Sequence, residues 1–263
     1  MISPDKSQGV RALRNAAPYI RLYKGKTFVI KAGGAVFGDA AATRALIEQI
    51  AILHYLGIKV VMVHGGGPQL TEITEAMGVP TKMIQGRRVT DEKALDATAM
   101  VLNGLINTKL LAICRELEIE AVGVSGVDAG LIKAHKRGPV NVEGQVVDYG
   151  FVGDIDLVDE NVLKKLLDSG LMPVVSPLSA DEKGQILNIN ADTVAAAIGS
   201  ALKAEKLILC TGAPGILENV ADPGSVISYT DLKGLDALRR SGAIKDGMLP
   251  KAKAIEEAIR GGV

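Results

Sequence analysis

The chain has little cysteine: only Cys114 and Cys210 among 263 residues. Both lie inside apolar helix or strand patterns, which disfavours a disulfide framework and favours a reducing compartment, so we expect buried, free thiols. No run of residues approaches the roughly 18 apolar positions of a membrane span, and the N-terminus lacks the apolar stretch of a signal peptide. These absences predict a cytoplasmic protein without a membrane partner.

Net charge is also absent, because 30 Lys and Arg balance 30 Asp and Glu. A nucleic-acid-binding protein normally has an overall positive field, so a nucleic-acid partner is disfavoured and any anion site must be local. With 48% hydrophobic residues, the chain is long enough for one large domain or two coupled lobes with a substantial core.

Several motifs of known chemistry are absent or incomplete. Gly25-Lys26-Thr27 is similar to the end of a phosphate-binding P-loop, but Ile20 stands where the first glycine should be, and the triplet precedes a strand. No Gly-x-Gly-x-x-Gly opens the first helix, so a dinucleotide site has no fingerprint. None of the histidines has partners at metal-ligand spacing, so we assign no metal site to protein side chains. Serines without a nucleophile elbow and cysteines without a nearby histidine disfavour hydrolases.

The hydrophobic pattern predicts an α/β protein. Buried-strand patterns alternate with helical ones from residue 26 onward, and this alternation is typical of parallel strands with crossover helices. We therefore expect a three-layer α/β/α sandwich with a mainly parallel, open sheet. The predicted strands are 26–32, 58–64, 120–124, 171–176 and 206–211, and the predicted helices are 40–56, 68–77, 92–116, 161–169 and 192–202.

Two regions depart from that alternation. Residues 8–23 have the spacing of an amphipathic helix outside the core, and Pro18 is expected to kink it or to end its first half. Residues 131–152 have the pattern of short strands with turns, and we expect antiparallel strands at an edge of the sheet. We divide the chain into an N-terminal helix, 1–24, and one domain, 25–263, whose lobes at about 25–180 and 181–263 share a continuous sheet.

Glycines follow the first two predicted strands. Gly33-Gly34 comes after the first strand, and Gly65-Gly66-Gly67 comes after the second. Bare backbone at a strand end, followed by a helix N-terminus with free N–H groups, is how α/β proteins bind phosphate. One such loop is often only a tight turn, but two after neighbouring strands favour an anion site.

Two lysines and an aspartate are candidate catalytic groups. Lys31 lies at the carboxyl end of a strand, where open α/β sheets bind ligands, and a buried ammonium there requires an anionic partner. Lys251 stands near a helix start, where a positive charge is tolerable if a phosphate lies close by. Asp192 is either a helix N-cap or a carboxylate that accepts hydrogen bonds from both lysines. For each lysine the alternative is a solvated or salt-bridged side chain without a role.

Two arginines precede the long predicted helix. Arg87 and Arg88 lie in a glycine-led loop, and a guanidinium can hold a carboxylate with a bidentate fork. Position alone does not separate the two, and a solvated surface arginine is the alternative for either.

These segments, in this order, resemble the amino-acid kinase family, and within it the acetylglutamate kinases of arginine biosynthesis. The likeness runs from about Pro18 to the end of the chain. The segments that carry it are Lys31–Gly34 (Lys-x-Gly-Gly), His64–Gly67 (His-Gly-Gly-Gly), Gly86–Thr90 (Gly-x-Arg-Val-Thr), Val122–Asp128 (Val-Gly-Leu-Ser-Gly-Lys-Asp), Asn188–Asp192 (Asn-x-Asn-Ala-Asp) and Asp246–Lys251, which supplies the second lysine.

The resemblance implies a carbamate-kinase-like fold and ATP-dependent phosphorylation of the side-chain carboxylate of N-acetyl-L-glutamate. It implies that Lys31 and Lys251 stabilise the transferring phosphoryl group, that Asp192 orients them, and that Mg²⁺ is held mainly by the ATP phosphates. The first lobe would bind the substrate and the second the nucleotide. The implied contacts are phosphate with Gly33, Gly34 and Gly65; substrate with Gly66, Gly67, Arg88, Asn188 and Asn190; and nucleotide with Thr211, Gly212, Gly215, Gly247 and Met248.

Three departures or additions affect this expectation. Gly212 stands where the family usually has an aspartate, which bears on ATP affinity. The chain ends at Val263, ahead of the family's closing segment, so either a final strand lies outside this sequence or the chain is one domain of a longer protein. The N-terminal helix is similar to the extension that joins dimers into hexamers in arginine-sensitive kinases. This implies a homo-oligomer, dimer or hexamer, and leaves L-arginine open as an effector.

Two other functions stay open on the sequence. One is a non-catalytic, arginine-binding, kinase-like domain of an N-acetylglutamate synthase, in which a similar helix precedes the domain. The other is a kinase for a related acylated amino acid, such as a carrier-bound aminoadipate.

Overall fold

The computed structural model describes residues 6–84, 87–142, 144–219, 221–244 and 247–263. Its helices are α1 Lys6–Tyr23, α2 Ala40–Tyr55, α3 Gly67–Ala76, α4 Glu92–Ala99, α5 Thr108–Glu116, α6 Glu160–Asp168, α7 Ala191–Leu202, α8 Leu232–Arg240 and α9 Met248–Arg260. Its strands are β1 Thr27–Ala32, β2 Lys59–His64, β3 Lys82–Ile84, β4 Arg87–Val89, β5 Ala121–Ser125, β6 Ile132–Lys136, β7 Val140–Val142, β8 Gln145–Val147, β9 Gly153–Val158, β10 Met172–Ser176, β11 Leu178–Ala180, β12 Ile186–Asn188 and β13 Lys206–Cys210. A π-helical segment, Met100–Asn107, joins α4 to α5.

Five parallel strands form the central sheet in the order β13-β1-β2-β10-β5. Successive side chains of a strand point to opposite faces. Ile30 and Met62 therefore pack in one core layer with α2 and α5, whereas Val29 and Val63 pack in the other with α6 and α7. Helices cover both faces, so the predicted three-layer α/β/α sandwich is confirmed. The predicted strands and helices are present with bounds that differ by one residue at most.

The strands between 132 and 158 do not lie at an edge of the central sheet, so that prediction is wrong. They belong to a separate four-stranded sheet, ordered β12-β11-β6-β9, in which β6 and β9 are antiparallel. Ile132 and Ala134 are buried in the core layer that contains α7, and this burial outweighs pairing at the sheet edge. β7 and β8 form the expected hairpin, and β3 and β4 form a second hairpin that was not predicted.

Helix α1 contains Pro18 and continues past it to Tyr23, so the expectation that the proline ends the first half is wrong. The helix lies outside the core, as predicted. Val10, Leu13 and Tyr19 are each more than half exposed.

Both cysteines are free. Cys114 is buried in α5, and burial raises the pKa of its thiol to about 11, which keeps it unreactive at neutral pH. Cys210, at the end of β13, is only partly buried, and burial raises its pKa as well.

Helices α4 and α5 and the π segment form one continuous helix of 25 residues, as predicted for 92–116. Among the described residues it is the one helix long and apolar enough to cross a membrane, a property that the sequence analysis did not identify. Leu102, Ile106 and Leu110 are buried from this helix in the core layer that contains Met62. Its apolar face therefore packs against the central sheet.

The π segment lets residues five positions apart share one face. Hydrogen bonds of the i→i+5 type stack Asn107 one turn above Leu102, whereas an α-helix would stack Ile106 there. All three side chains are buried, and Asn107 Nδ2 donates to the carbonyl of Val174 in β10 at 2.9 Å. Gly123 of β5 leaves room for this amide, because a Cβ at that position would lie 1.9 Å from Asn107 Oδ1.

We expect Gly123→Ala to lower the free energy of unfolding by about 1–3 kcal/mol, because the new methyl group overpacks a buried site. The matched control is Gly104→Ala in the π segment, where a Cβ meets nothing within 4 Å. That change should be neutral or stabilising by up to about 1 kcal/mol, since alanine favours helix. Urea unfolding of both variants gives the comparison. Equal stability of the two would contradict the packing described for Asn107.

Candidate active site

The carboxyl ends of β1 and β2 and the N-termini of α3, α7 and α9 surround one cavity of about 290 Å³. Helix N-termini carry free N–H groups and partial positive charge, so three of them at one cavity favour an anionic ligand. The sequence-predicted residues that line it are Lys31, Gly34, Gly65, Gly66, Gly67, Arg88, Asn188, Asn190, Asp192, Gly247 and Lys251.

Asp192 lies between the two lysines. Its Oδ1 is 2.8 Å from Lys31 Nζ, and its Oδ2 is 2.8 Å from Lys251 Nζ. Lys251 donates a hydrogen bond to Oδ2, whereas Lys31 lies beside Oδ1 as an ion pair without hydrogen-bond alignment. Lys31 is 5% exposed and Asp192 4%. Two ammonium groups and one carboxylate leave one net positive charge, which an anion in the cavity would neutralise.

Burial and charge act in opposite directions on these groups. Burial lowers the pKa of Lys31, and repulsion from Lys251 adds to this, while Asp192 opposes it. Burial alone would raise the pKa of Asp192, but the ion pairs with Lys31 and Lys251 outweigh it and hold the pKa below its usual range. Asp192 is therefore ionised at neutral pH and able to hold both ammonium groups.

Asn190, not Asp192, is the N-cap of α7. Asn190 Oδ1 accepts hydrogen bonds from the backbone N–H groups of Asp192, at 2.9 Å, and Thr193, at 3.2 Å. Asparagine at this position satisfies the free N–H groups of the first turn. Asp192 is thus two residues into the helix, and its carboxylate is free to bind the lysines. The capping interpretation of Asp192 is wrong for this reason.

Three glycines offer free backbone donors to the cavity. The N–H groups of Gly34, Gly66 and Gly67 have no acceptor in the part of the chain that the structure describes. Gly33 and Gly65 differ, because their N–H groups donate to the carbonyls of Cys210 and Ala32. Gly33 also lies outside the lining of the cavity. Gly34 is thus the one of the three predicted phosphate-binding glycines with a free N–H among the described residues.

Close packing explains why glycine stands in these loops. A Cβ at Gly34 would lie 2.5 Å from Pro68 Cδ, so the two glycine loops pack directly on each other. A Cβ at Gly66 would lie 2.2 Å from Ile106 Cδ1 and 2.8 Å from Leu102 Cδ2. Neither position tolerates a side chain without movement of its neighbours.

Arg88 lies at the cavity with most of its fork already bound. Its Nη1 donates to Thr81 Oγ1 at 2.7 Å, and its Nη2 donates to Thr71 Oγ1 at 2.6 Å and to the carbonyl of Gly67 at 3.2 Å. Burial lowers its pKa, although Glu75 opposes this. These bonds tie strand β4 to the start of α3 and hold the guanidinium at the cavity.

Asn188, at the end of β12, is fixed by its neighbours. Its Nδ2 donates to Thr90 Oγ1 at 3.2 Å, and its backbone N–H donates to the carbonyl of Phe151 at 2.9 Å. The small sheet therefore carries Asn188 to the cavity wall opposite the glycine loops.

The predicted nucleotide-binding residues are divided. Gly247, just before α9, lines the cavity, but Thr211, Gly212, Gly215 and Met248 do not. A Cβ at Gly212 would meet Ala35 Cβ at 3.7 Å, an ordinary contact, so packing does not require glycine in place of the family aspartate. Gly86 and Asp246, which belong to two of the quoted motifs, lie outside the described residues.

Sequence reasoning missed several groups around the site. Met83 and Arg87 of the β3–β4 hairpin line the cavity, and Thr71 and Thr81 hold Arg88. Arg87 is half-buried; burial and the nearby Arg137 lower its pKa. The strand-like pattern on each side of the glycine-led loop was the one signal for the hairpin. Nothing local marks either threonine as an arginine partner.

Comparison with known proteins gives a consistent result. Residues 26–263 match the profile described as the Amino acid kinase family. A protein named acetylglutamate kinase from Myxococcus xanthus is 48% identical over 100% of this chain and 86% of that relative. The N-acetylglutamate synthase of Neisseria gonorrhoeae, solved with coenzyme A and N-acetyl-glutamate, has a TM-score of 0.82 at 26% identity, over 97% of this chain and 56% of that one. A carbamate kinase from Giardia lamblia bound to AMP-PNP shares the fold, with a TM-score of 0.62 at 21% identity over 90% of each chain. The chain belongs to the amino acid kinase family, as its motifs predicted.

Proposed function

We propose that this protein transfers the γ-phosphoryl group of ATP to the side-chain carboxylate of N-acetyl-L-glutamate, in arginine biosynthesis. The observation that carries the proposal is the buried arrangement of Lys31 and Lys251 on one carboxylate, beside three free backbone N–H groups. The acetylglutamate kinase name of a relative that is 48% identical supports the choice of acceptor. The free thiols fit a reducing compartment, and we place the reaction in the cytoplasm.

The site supplies what this reaction needs. The acceptor is a carboxylate, with a reference pKa of about 4.3, so it is already ionised at neutral pH and requires no general base. Phosphoryl transfer then depends on positioning and on neutralising the charge of the transferred group. Lys31 and Lys251 supply positive charge, and Asp192 fixes where the two ammonium groups lie. The N–H groups of Gly34 and Gly66 add donors that need no rearrangement.

Magnesium would enter with the nucleotide. The described residues contain no group of three or more His, Cys, Asp or Glu that could hold a metal ion. Both oxygens of Asp192 already lie against lysines. We therefore assign Mg²⁺ to the ATP phosphates, whose charge it would reduce.

Acceptor and nucleotide would approach the lysines from different sides. We assign the acceptor to the glycine loop at 66–67 with Arg88, Asn188 and Asn190, all of which line the cavity. We assign ATP to the segment at 211–215 and to Gly247 and Met248, beyond the cavity. This corresponds to a substrate lobe at about 25–180 and a nucleotide lobe at about 181–263.

Helix α1 supports a homo-oligomer, dimer or hexamer. Its apolar residues Val10, Leu13, Tyr19 and Leu22 are more than half exposed, which is typical of a surface that a partner covers. L-arginine is the effector that we propose to test, on the likeness of α1 to the arm of arginine-sensitive kinases.

The deciding experiment traps the acyl phosphate with hydroxylamine after incubation with Mg-ATP and N-acetyl-L-glutamate. We expect a hydroxamate that requires both substrates, and a folded protein that forms none would overturn the proposal. Repeating the assay with a carrier-bound aminoadipate tests the alternative acceptor. Arginine binding by calorimetry in a chain without kinase activity would instead support the regulatory synthase domain.

We expect Lys31→Met and Lys251→Met each to lower kcat by at least about a hundredfold with little change in KM, because these charges act mainly on the transition state. The matched control is Lys26→Met, at the opposite, exposed end of the strand that leads to Lys31. Steady-state kinetics decide the matter. Near-normal turnover of Lys31→Met would remove the assigned role.

Arg88→Lys should raise the KM for N-acetyl-L-glutamate by about tenfold and leave the KM for ATP unchanged, because lysine keeps the charge but loses the planar fork. Arg44→Lys, on the surface of α2, is the control and should change neither constant. An equal rise in both KM values would instead indicate a general disturbance of the cavity.

Asp192→Asn should lower kcat and also destabilise the fold. Removal of the carboxylate leaves two ammonium groups in a buried site, which costs about 3–5 kcal/mol of unfolding free energy. Asp168→Asn, which breaks an exposed pair with Lys59, should cost about 1 kcal/mol or less. Urea unfolding measures both. Comparable losses would show that Asp192 is not the main partner of the lysines.

A further inference from the structure

The π segment reaches the glycine loop through two kinds of contact. Leu102 and Ile106 pack so tightly on Gly66 that its position tolerates no Cβ. The third buried residue of the same face, Asn107, touches His64, the last residue of β2. Helices with π geometry occur often at functional sites. Here the π geometry is what brings all three side chains to the loop.

Hydrogen-bond chemistry fixes how His64 is protonated. Asn107 Nδ2 lies 2.9 Å from the carbonyl of Val174 and 3.1 Å from His64 Nε2. A carbonyl only accepts, so this atom is the amide nitrogen, and its second hydrogen points to Nε2. Nε2 must then be the acceptor, and the imidazole proton is on Nδ1. Nδ1 lies 3.0 Å from the carbonyl of Gly65 and donates to it.

Burial agrees with this neutral tautomer. His64 is fully buried, and burial lowers its pKa to about 4, although the bond to Gly65 opposes the shift. The ring is therefore uncharged at neutral pH.

The bond to Gly65 sets the direction of the next N–H group. In a trans peptide the carbonyl of one residue and the N–H of the next point in opposite directions. Because His64 holds the Gly65 carbonyl, the Gly66 N–H points away from the ring. The carbonyl of Gly66 accepts from Leu70 N–H at 2.8 Å, which in the same way directs the Gly67 N–H. Both N–H groups have no acceptor among the described residues.

We propose that Asn107 is a positioning residue for phosphoryl transfer, which acts through His64 to aim the N–H groups of Gly66 and Gly67 at the anion in the cavity. This inference rests on the proposed kinase function. Asn107 is itself anchored to the central strand β10, so the loop is held against the rigid sheet. Removing the amide leaves the ring free to exchange its proton between Nδ1 and Nε2, and the Gly65–Gly66 peptide then loses its fixed direction.

The first test reads the tautomer of His64 without any activity. The chain has three histidines, so ¹⁵N-histidine spectra are simple, and His54→Gln and His135→Gln assign the remaining signals. We expect a neutral His64 with its proton on Nδ1 in the wild-type chain at pH 7. A proton on Nε2, or a charged ring, would overturn the proposal. This result stands whether or not the protein is a kinase.

The second test uses Asn107→Leu, which keeps the volume but removes both N–H donors. We expect a fall in kcat of at least about tenfold, a KM for ATP within about threefold of wild type, and a mixed His64 tautomer. The matched control is Thr98→Val, which removes a buried hydroxyl that donates within its own helix and does not contact the loop. It should lower stability but leave kcat and the tautomer unchanged.

The outcomes separate the two proposals. Unchanged kcat in a folded Asn107→Leu variant would exclude the positioning role while the kinase function stands. Absence of wild-type activity would remove the kinase function, and the wild-type spectrum would still decide the state of His64. If Asn107→Leu does not fold, the wild-type tautomer alone decides.

Discussion

One carboxylate holds together two lysines that come from opposite ends of the chain. Lys31 ends a strand of the central sheet and Lys251 lies in the first turn of α9, and both are 2.8 Å from oxygens of Asp192. The contact requires α7 to lie close to both elements. Ala196 of α7 packs against Ala254 and Ala258 of α9, and these small side chains permit the close approach. The alanine-rich composition of α7 thus serves the geometry of the charged site as well as the core.

The sequence revealed those features that depend on neighbouring residues. Apolar runs that end in glycine marked β1 and β2, and the lysine and aspartate motifs marked the charged groups, because these signals lie within a few positions of each other. The hairpin partners of Arg88 and the separate small sheet were not predicted. They depend on contacts such as that of Arg88 with Thr71, across 17 positions, for which no local pattern exists.

Identical residue types in the glycine loops have different uses, and only the fold separates them. Gly33 and Gly65 spend their N–H groups on carbonyls of the central sheet, whereas Gly34, Gly66 and Gly67 keep theirs free. Composition predicted an anion site but not which donors serve it. The same holds for Asn190 and Asp192, since both are suitable N-caps and only the bonds of Asn190 Oδ1 decide between them.

The π segment also constrains the length of the chain, independently of which residues it contains. Each residue of an α-helix adds a rotation of about 100°, so removal of one residue between 100 and 107 would turn all of α5 relative to α4. Leu110 and Cys114, now buried on the sheet, would then face a different direction. Substitutions at exposed positions of this segment are therefore cheap, whereas a single deletion there would disturb the core and the site together.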